Sequence, residues 1–283
     1  MQFHNSTATL FIPDGTENLD EALSRTTHLA IGAHQDDTEI MAYHGISECF
    51  GKSKLWMSSV TVTAGSGSAR TGIYGDYTNE EIRKVRIEEQ KKAAFLGEYA
   101  AQVQLDYPSA QAKDPDDTAL VDDLFKILEG TTPHRVYLHN PADKHETHVA
   151  VLVRSIEALR RLAPEQTPQK VFGCEVWRDL DWVMDQDKIL LPVSDYPNLA
   201  ASLLGLFDSQ ISGGKRYDLA TAGRRLANAT YLDPYSIDEE TALTYALDLT
   251  PLIIDHSISV VDYTLQHIDR FKVDVEGRLK RLL

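Results

Sequence analysis

Residues 28–39 read His28-Leu29-Ala30-Ile31-Gly32-Ala33-His34-Gln35-Asp36-Asp37-Thr38-Glu39. The first five form a short apolar run of the kind a buried strand requires. One imidazole and two adjacent carboxylates follow at once. A polar cluster just past a strand end lies at the mouth of a sheet, where open α/β folds bind ligands. A second cluster, His139-Asn140-Pro141-Ala142-Asp143-Lys144-His145-Glu146-Thr147-His148, also follows an apolar run, Arg135-Val136-Tyr137-Leu138.

Outward from these clusters the chain alternates strand and helix patterns. Leu55–Ala64 is rich in β-branched residues and ends in a Gly/Ser loop running from Gly65 to Gly75. Residues 79–97 predict a helix, with Ile82, Val85, Ala93 and Leu96 as its apolar face and Gly97 as its stop. A strand is expected over 101–105, a helix over 116–128, another helix over 146–162 and a strand over 170–177. This order argues for an α/β fold, a Rossmann-like and mostly parallel sheet covered by helices on both faces. Right-handed crossovers then bring both clusters to the carboxyl edge of one sheet. Beyond Asp195 the pattern turns helical, over 194–211, 214–230 and 257–283. The expected organisation is a core over 1–210 and a helical extension over 211–283 packed on it.

Composition narrows the function classes. A chain of 283 residues with formal net charge -15 disfavours a nucleic-acid or anionic-membrane partner, because phosphate binding needs positive surface. No apolar run approaches the roughly 18 residues expected of a membrane span, and residues 1–20 carry no signal-peptide pattern. The two cysteines, Cys49 in a predicted helix and Cys174 in a predicted strand, are expected to be buried thiols. A cytoplasmic location is the expectation.

The clusters suit metal chemistry. Catalytic zinc takes three ligands from His and Asp/Glu and leaves a position for water. His34 and Asp37 stand three apart on a strand-to-helix turn, and His145 and His148 form an HxxH pair one helical turn apart. Asp36 is left as a free carboxylate able to take a proton from an attacking water. The plainer readings are that Asp36 and Asp37 cap the helix starting near Thr38, and that either histidine of the pair is an ordinary hydrogen-bonded one. The conjunction of two clusters on one sheet edge favours a metal-dependent hydrolase. His4, His28, His44, His134, His139, His256 and His267 are scattered and are assigned no role. Zinc is the expected metal, although two His and one Asp also suit iron(II) or manganese.

The residues resemble the LmbE-like (PIG-L) zinc N-deacetylases. The first cluster is similar to that family's AHPDDxE motif, with Gln35 in place of Pro. His145-Glu146-Thr147-His148 is similar to its HPDH motif, with Thr147 in place of Asp. Val62-Thr63-Ala64-Gly65, Arg86-Ile87-Glu88-Glu89 with Ala93-Ala94-Phe95-Leu96-Gly97, and Asp208-Ser209-Gln210 extend the resemblance over residues 27–210. It implies His34, Asp37 and His148 as zinc ligands and Asp36 as general base. It implies His145 as the group that stabilises the tetrahedral intermediate and protonates the leaving amine, and Arg86 as a substrate contact. The implied activity is removal of an acetyl or other small acyl group from an amino sugar such as an N-acetylglucosamine conjugate. Relatives are often oligomeric, which leaves a homo-oligomer open. Gln35 loosens a fixed turn. Thr147 removes an anion that would raise the pKa of His145. Two other classes stand beside this one: hydrolysis of a different amide or ester, and a non-catalytic metal- or ligand-binding module. A dinucleotide-binding domain is disfavoured because no GxGxxG follows the first strand.

Overall fold

Parallel strands make up the middle of an eight-stranded sheet. In the computed structural model, which describes all 283 residues, the strands are β1 (Thr9–Phe11), β2 (His28–Gly32), β3 (Met57–Thr63), β4 (Ala101–Tyr107), β5 (Arg135–His139), β6 (Lys170–Cys174), β7 (Lys188–Pro192) and β8 (Leu243–Asp248). Their order is β1-β4-β3-β2-β5-β6-β8-β7. The run from β4 to β6 is parallel, while β1, β8 and β7 pair antiparallel at the two flanks. The chain winds outward from β2 through β3 to β4 and then returns to β5 on the other side of β2. The order therefore reverses between β2 and β5, the switch point at which such sheets open a crevice.

The helices are α1 (Leu19–Ser24), α2 (Asp37–Met41), α3 (Tyr43–Cys49), α4 (Asn79–Leu96), α5 (Ser109–Lys113), α6 (Ala119–Thr131), α7 (Glu146–Leu159), α8 (Pro197–Gly205), α9 (Asp208–Ile211), α10 (Tyr217–Thr230), α11 (Thr250–Ile254) and α12 (Val260–Leu282). Side-chain alternation along the strands divides the core in two. Leu29 and Ile31 of β2 and Val136 and Leu138 of β5 pack with Leu124 of α6 and Leu152 of α7. Ala30 and Tyr137, one residue out of phase, pack with Met41, Ile46, Ala93 and Leu203 on the opposite face. This is the doubly covered sheet that the continuous apolar runs require.

Helix α4 follows its sequence closely. Thr78 and Glu81 form a capping box, with the Glu81 N–H donating to Thr78 Oγ1 at 3.2 Å and the Thr78 N–H donating to Glu81 Oε2 at 2.7 Å. Gly97 is its C-cap. The buried face carries Ile82, Arg86, Glu89, Gln90, Ala93 and Ala94, so three polar side chains are turned inward on a helix that also builds the core.

The helical reading of the C-terminal residues needs one correction. Residues 243–248 form β8, which enters the sheet between β6 and β7. The stretch, Leu243-Thr244-Tyr245-Ala246-Leu247-Asp248, mixes helix formers with the strand formers Thr and Tyr, and pairing with β6 and β7 makes it a strand. Cys49 lies in α3 and Cys174 in β6, both buried and free. No helix is long and apolar enough to cross a membrane.

Candidate active site

The loop after β2 and the loop after β5 leave adjacent parallel strands, paired His28 to Arg135 and Ala30 to Tyr137. Their polar residues therefore meet at the carboxyl edge. His34 Nδ1 lies 3.1 Å from His148 Nε2 and 3.5 Å from Asp37 Oδ2, and His148 Nε2 lies 3.6 Å from Asp37 Oδ1. Ligand atoms at about 2.0–2.1 Å from a tetrahedral ion stand roughly 3.3 Å apart. The observed spacings lie near that edge, with Asp37 facing the two imidazoles through different oxygens, so the three side chains are close enough to share a divalent ion.

Two triads of donors cluster here: His34, His145 and His148, and Asp37, His139 and His148. His139, assigned no role from sequence, is fully buried within the cluster. Its ring stacks on His148 at 3.9 Å, and its Nε2 lies 3.4 Å from Asp37 Oδ2. That Nε2 also accepts the Ala33 N–H at 3.0 Å. A lone pair engaged by a backbone donor is poorly placed to bind a metal, so His139 serves better as a packing support, stacked on His148 beside Asp37. Its position as the last residue of β5 and the first of the second cluster was the signal that could have found it.

The turn carrying the first cluster is held in an uncommon backbone state. Asp36 has φ 90°, and although it occupies the N-cap position of α2 its side chain makes no capping bond. Asp tolerates the left-handed region better than most residues, yet such a conformation costs about 1–3 kcal/mol and persists only where surroundings impose it. Those surroundings come from α4 and α9. The Asp36 N–H donates to Gln90 Oε1 at 3.2 Å. Gln210 Nε2 donates to Asp36 Oδ2 at 2.7 Å and to the Gln35 carbonyl at 2.9 Å. Gln210 is fixed in turn through its neighbour Ser209, whose N–H and Oγ donate to the two Glu89 oxygens at 2.7 and 2.6 Å. Two glycines permit the packing. A Cβ on Gly32 would sit 2.8 Å from Asp37 Cβ, and one on Gly65 would sit 2.4 Å from Gln35 Oε1 and 2.5 Å from an Arg86 nitrogen.

Arg86 is buried, and it reaches from α4 into the cleft, where it donates to the Gly65 carbonyl. Its Nε has no hydrogen-bond partner. His145 and Thr147 line the same cleft. Asp143 braces this side: Oδ1 accepts the His145 N–H at 2.8 Å and lies 3.5 Å from His148 Nδ1, while Oδ2 accepts the Trp177 N–H at 3.1 Å.

The environment separates the protonation states. Burial pushes the Asp36 carboxyl well above its ordinary range, aided by the charge of Asp37 and opposed by Arg86. Burial also raises Asp37, but the imidazoles of His148 and His139 outweigh it and hold Asp37 well below the usual range. Burial pulls His34 down to about 4, which keeps it neutral, the form that donates a lone pair. His145 is lowered by burial and by the charge of His148, with Asp37 and Asp143 opposing. One carboxylate suited to holding a cation thus stands beside another suited to taking up a proton.

The cleft measures about 420 Å³. Its far wall comes from residues that sequence reading left without a role, Trp177, Lys215 and Tyr217. Trp177 and Tyr217 meet edge to face, with ring centroids 6.0 Å apart.

The family model described as GlcNAc-PI de-N-acetylase (PIG-L) matches residues 29–159. No curated protein matches the chain. Among solved structures, N,N′-diacetylchitobiose deacetylase from Pyrococcus horikoshii is similar with a TM-score of 0.62 at 15% identity, over 82% of this chain and 86% of that one. The 4-carboxy-2-hydroxymuconate hydratase GalB from Pseudomonas putida gives a TM-score of 0.62 at 15% identity, over 79% and 95%. Teicoplanin deacetylase Orf2, solved in a zinc-inhibited form, gives 0.54 at 15%, over 79% and 98%. These likenesses establish the fold, and a fold that carries both a hydratase and deacetylases leaves the chemistry to the site.

Proposed function

The chain belongs to the PIG-L family through residues 29–159, and from that premise we propose that it is a zinc-dependent N-deacetylase acting on an amino sugar such as an N-acetylglucosamine conjugate. The observation that carries the reading is Asp36. A metal-binding module needs its donors but has no need of a second buried carboxylate, aimed by Gln210 rather than by helix capping.

In this reading His34, Asp37 and His148 hold the ion. Zinc at that point supplies a water of lowered pKa and polarises the amide carbonyl. Asp36 takes the proton of the attacking water, and Gln210 keeps its oxygen directed into the cleft. His145 lines the cleft beside His34 and His148, where its imidazole can deliver a proton to the departing nitrogen. Arg86 offers a buried guanidinium to the substrate's polar groups. His139 packs against the donor set and Asp143 braces it from behind. The deacetylase core is assigned to 1–210, and the extension, 211–283, completes the cleft with Lys215 and Tyr217. A cytoplasmic location belongs to the same reading.

The test combines metal analysis with release of free amine from N-acetylglucosamine conjugates. Zinc-loaded protein is expected to release amine, and Asp36→Ala to keep the metal while losing about 10²-fold or more of that activity. Full metal loading with no amine release from any amide substrate would overturn the reading.

A further inference from the structure

The last helix, α12, is anchored at one end only. Val260 and Tyr263 pack on the core, His267 is buried, and Arg270 pairs with Asp187 at 2.8 Å. Beyond Arg270 no side chain of the helix is buried. The ion pairs there, Arg278 with Asp274 and Lys280 with Glu276, stay within the helix. The free segment, residues 271–282, has the length at which isolated helices are marginal in water, and Gly277 inside it weakens it further.

The helix is nonetheless apolar along one line. Leu265, Ile268, Lys272, Val275, Leu279 and Leu282 follow one another at alternating steps of three and four, and all six are exposed. That spacing, 3.5 residues on average, keeps a single seam facing a neighbouring helix. With 3.6 residues per turn, the seam lies roughly a third of a turn away from Val260, Tyr263 and His267, so the protein's own core does not cover it. The exposed apolar side chains continue over the whole free segment, whose cover must come from outside the chain.

Charge selects the occupant. The protein carries a net charge of -15, which opposes an anionic bilayer. Asp262, Asp269 and Glu276, spaced seven apart, form an acidic row along one flank of the seam, and a lipid surface would have to desolvate it. A second copy of the chain has a use for that row. Parallel pairing would set Lys272 against Lys272. Antiparallel pairing sets Leu265 across from the partner's Leu282, Ile268 across from the partner's Leu279 and Lys272 across from the partner's Val275. Lys272 and the acidic row then fall on the same side of the seam in both copies, and each ammonium stands beside the partner's Glu276.

We propose that α12 is the docking surface for a second copy of this chain, the two helices pairing antiparallel along this seam. The helix lies outside the family match over 29–159, and the pairing is independent of the deacetylase reading.

Light scattering on the whole, metal-loaded protein reads the mass. Leu265→Glu combined with Leu279→Glu puts carboxylates into the seam of both copies and should halve the particle mass, whatever contacts the cores make. Both positions are exposed, so circular dichroism should show an unchanged fold. Orientation is read by oxidation, to which the buried Cys49 and Cys174 do not contribute. Differently tagged Leu265→Cys and Leu282→Cys chains, expressed together, should link to each other, whereas Leu265→Cys alone should not link to itself. Should the double variant unfold, this cross-link decides alone. A monomeric wild type at micromolar concentration, a mass unmoved by the double variant, or no link between the two cysteine chains overturns the proposal. Self-linking of Leu265→Cys overturns the antiparallel order on which it rests. Flotation of a monomeric wild type with phosphatidylglycerol vesicles, lost in the double variant, would give the face to lipid instead.

Discussion

Replacing Gln210 with Leu removes the side chain that aims Asp36 while leaving every proposed metal donor in place. Two hydrogen bonds disappear, the 2.7 Å bond to Asp36 Oδ2 and the 2.9 Å bond to the Gln35 carbonyl. A hydrogen bond to a charged group contributes about 1.5–3 kcal/mol, and each 1.36 kcal/mol is tenfold in rate. If Asp36 must be ionised and directed to accept its proton, kcat/KM should fall by roughly 10- to 150-fold. The sign of the pH effect follows from the same bond. Gln210 stabilises the carboxylate and so lowers the Asp36 pKa against burial, and its loss raises that pKa further. The acid limb of kcat/KM should move to higher pH. In an Asp36→Asn background the same substitution should add little, because both changes act through one group. The assay is amine release across pH 5–9 with metal content measured on the same samples. A variant with full metal, near wild-type kcat/KM and an unmoved acid limb would refute the positioning role. An effect of equal size on top of Asp36→Asn would refute it as well.

The ligand assignment is checked by metal stoichiometry: His34→Ala and His148→Ala are expected to lose the ion, whereas His145→Ala should keep it and lose activity. Loss of metal from His145→Ala would transfer the site to the His34, His145, His148 triad. Thr147→Asp places a carboxylate beside His145, raises its pKa and should shift the alkaline limb of kcat/KM upward with metal content unchanged; a stationary limb assigns it to another group. Acid stability depends on a cluster away from the cleft. Burial pulls His44 down to about 4, and Glu48 is drawn to about 2 because, although burial raises it, His28, His44 and Arg135 surround it. The unfolded chain binds more protons than the native one between the ordinary and native values. Stability therefore falls as pH drops from about 6.5 to 4 through His44, and from about 4.5 to 2 through Glu48. Glu48→Gln should flatten the lower window in urea titrations, and parallel curves below pH 4.5 would contradict that.

The strands and helices that hold the donor loops were legible because their patterns are local. The expected strand at His28–Gly32 matches β2 residue for residue, and residues 79–97 become α4 with Gly97 as its cap. His34, Asp37, His145 and His148 could be grouped as candidates because parallel strands fix which ends share an edge, and the choice of His34, Asp37 and His148 among them rested on the resemblance. What stayed hidden depends on long-range packing. His139 belongs to the cluster only because β5 lies against β2, and Gln210 meets Asp36 across 174 positions of sequence. The Asp208-Ser209-Gln210 motif was visible, but what it touches was not. Trp177 and Tyr217 were given no role from sequence, since no periodicity reports that a loop and a late helix will wall one cleft. Strand β8 was missed because its six residues have mixed preference and become a strand only through their partners β6 and β7.

The antiparallel flank formed by β8 has a consequence for the order in which the molecule can be completed. Strand β7 pairs with no strand other than β8, and more than forty residues separate them, including α8, α9 and α10. As the chain is synthesised, β7 emerges without a neighbour and cannot join the sheet until β8 slots in beside β6. The segment between them brings in Gln210, Tyr217, Arg224 and Arg225, so the loop they belong to is closed only at that late pairing. A chain arrested before residue 243 would hold both donor loops on paired strands and still lack an anchored wall. Assembly of the donor set and closure of the cleft's far wall should thus be separable in time, with the wall last.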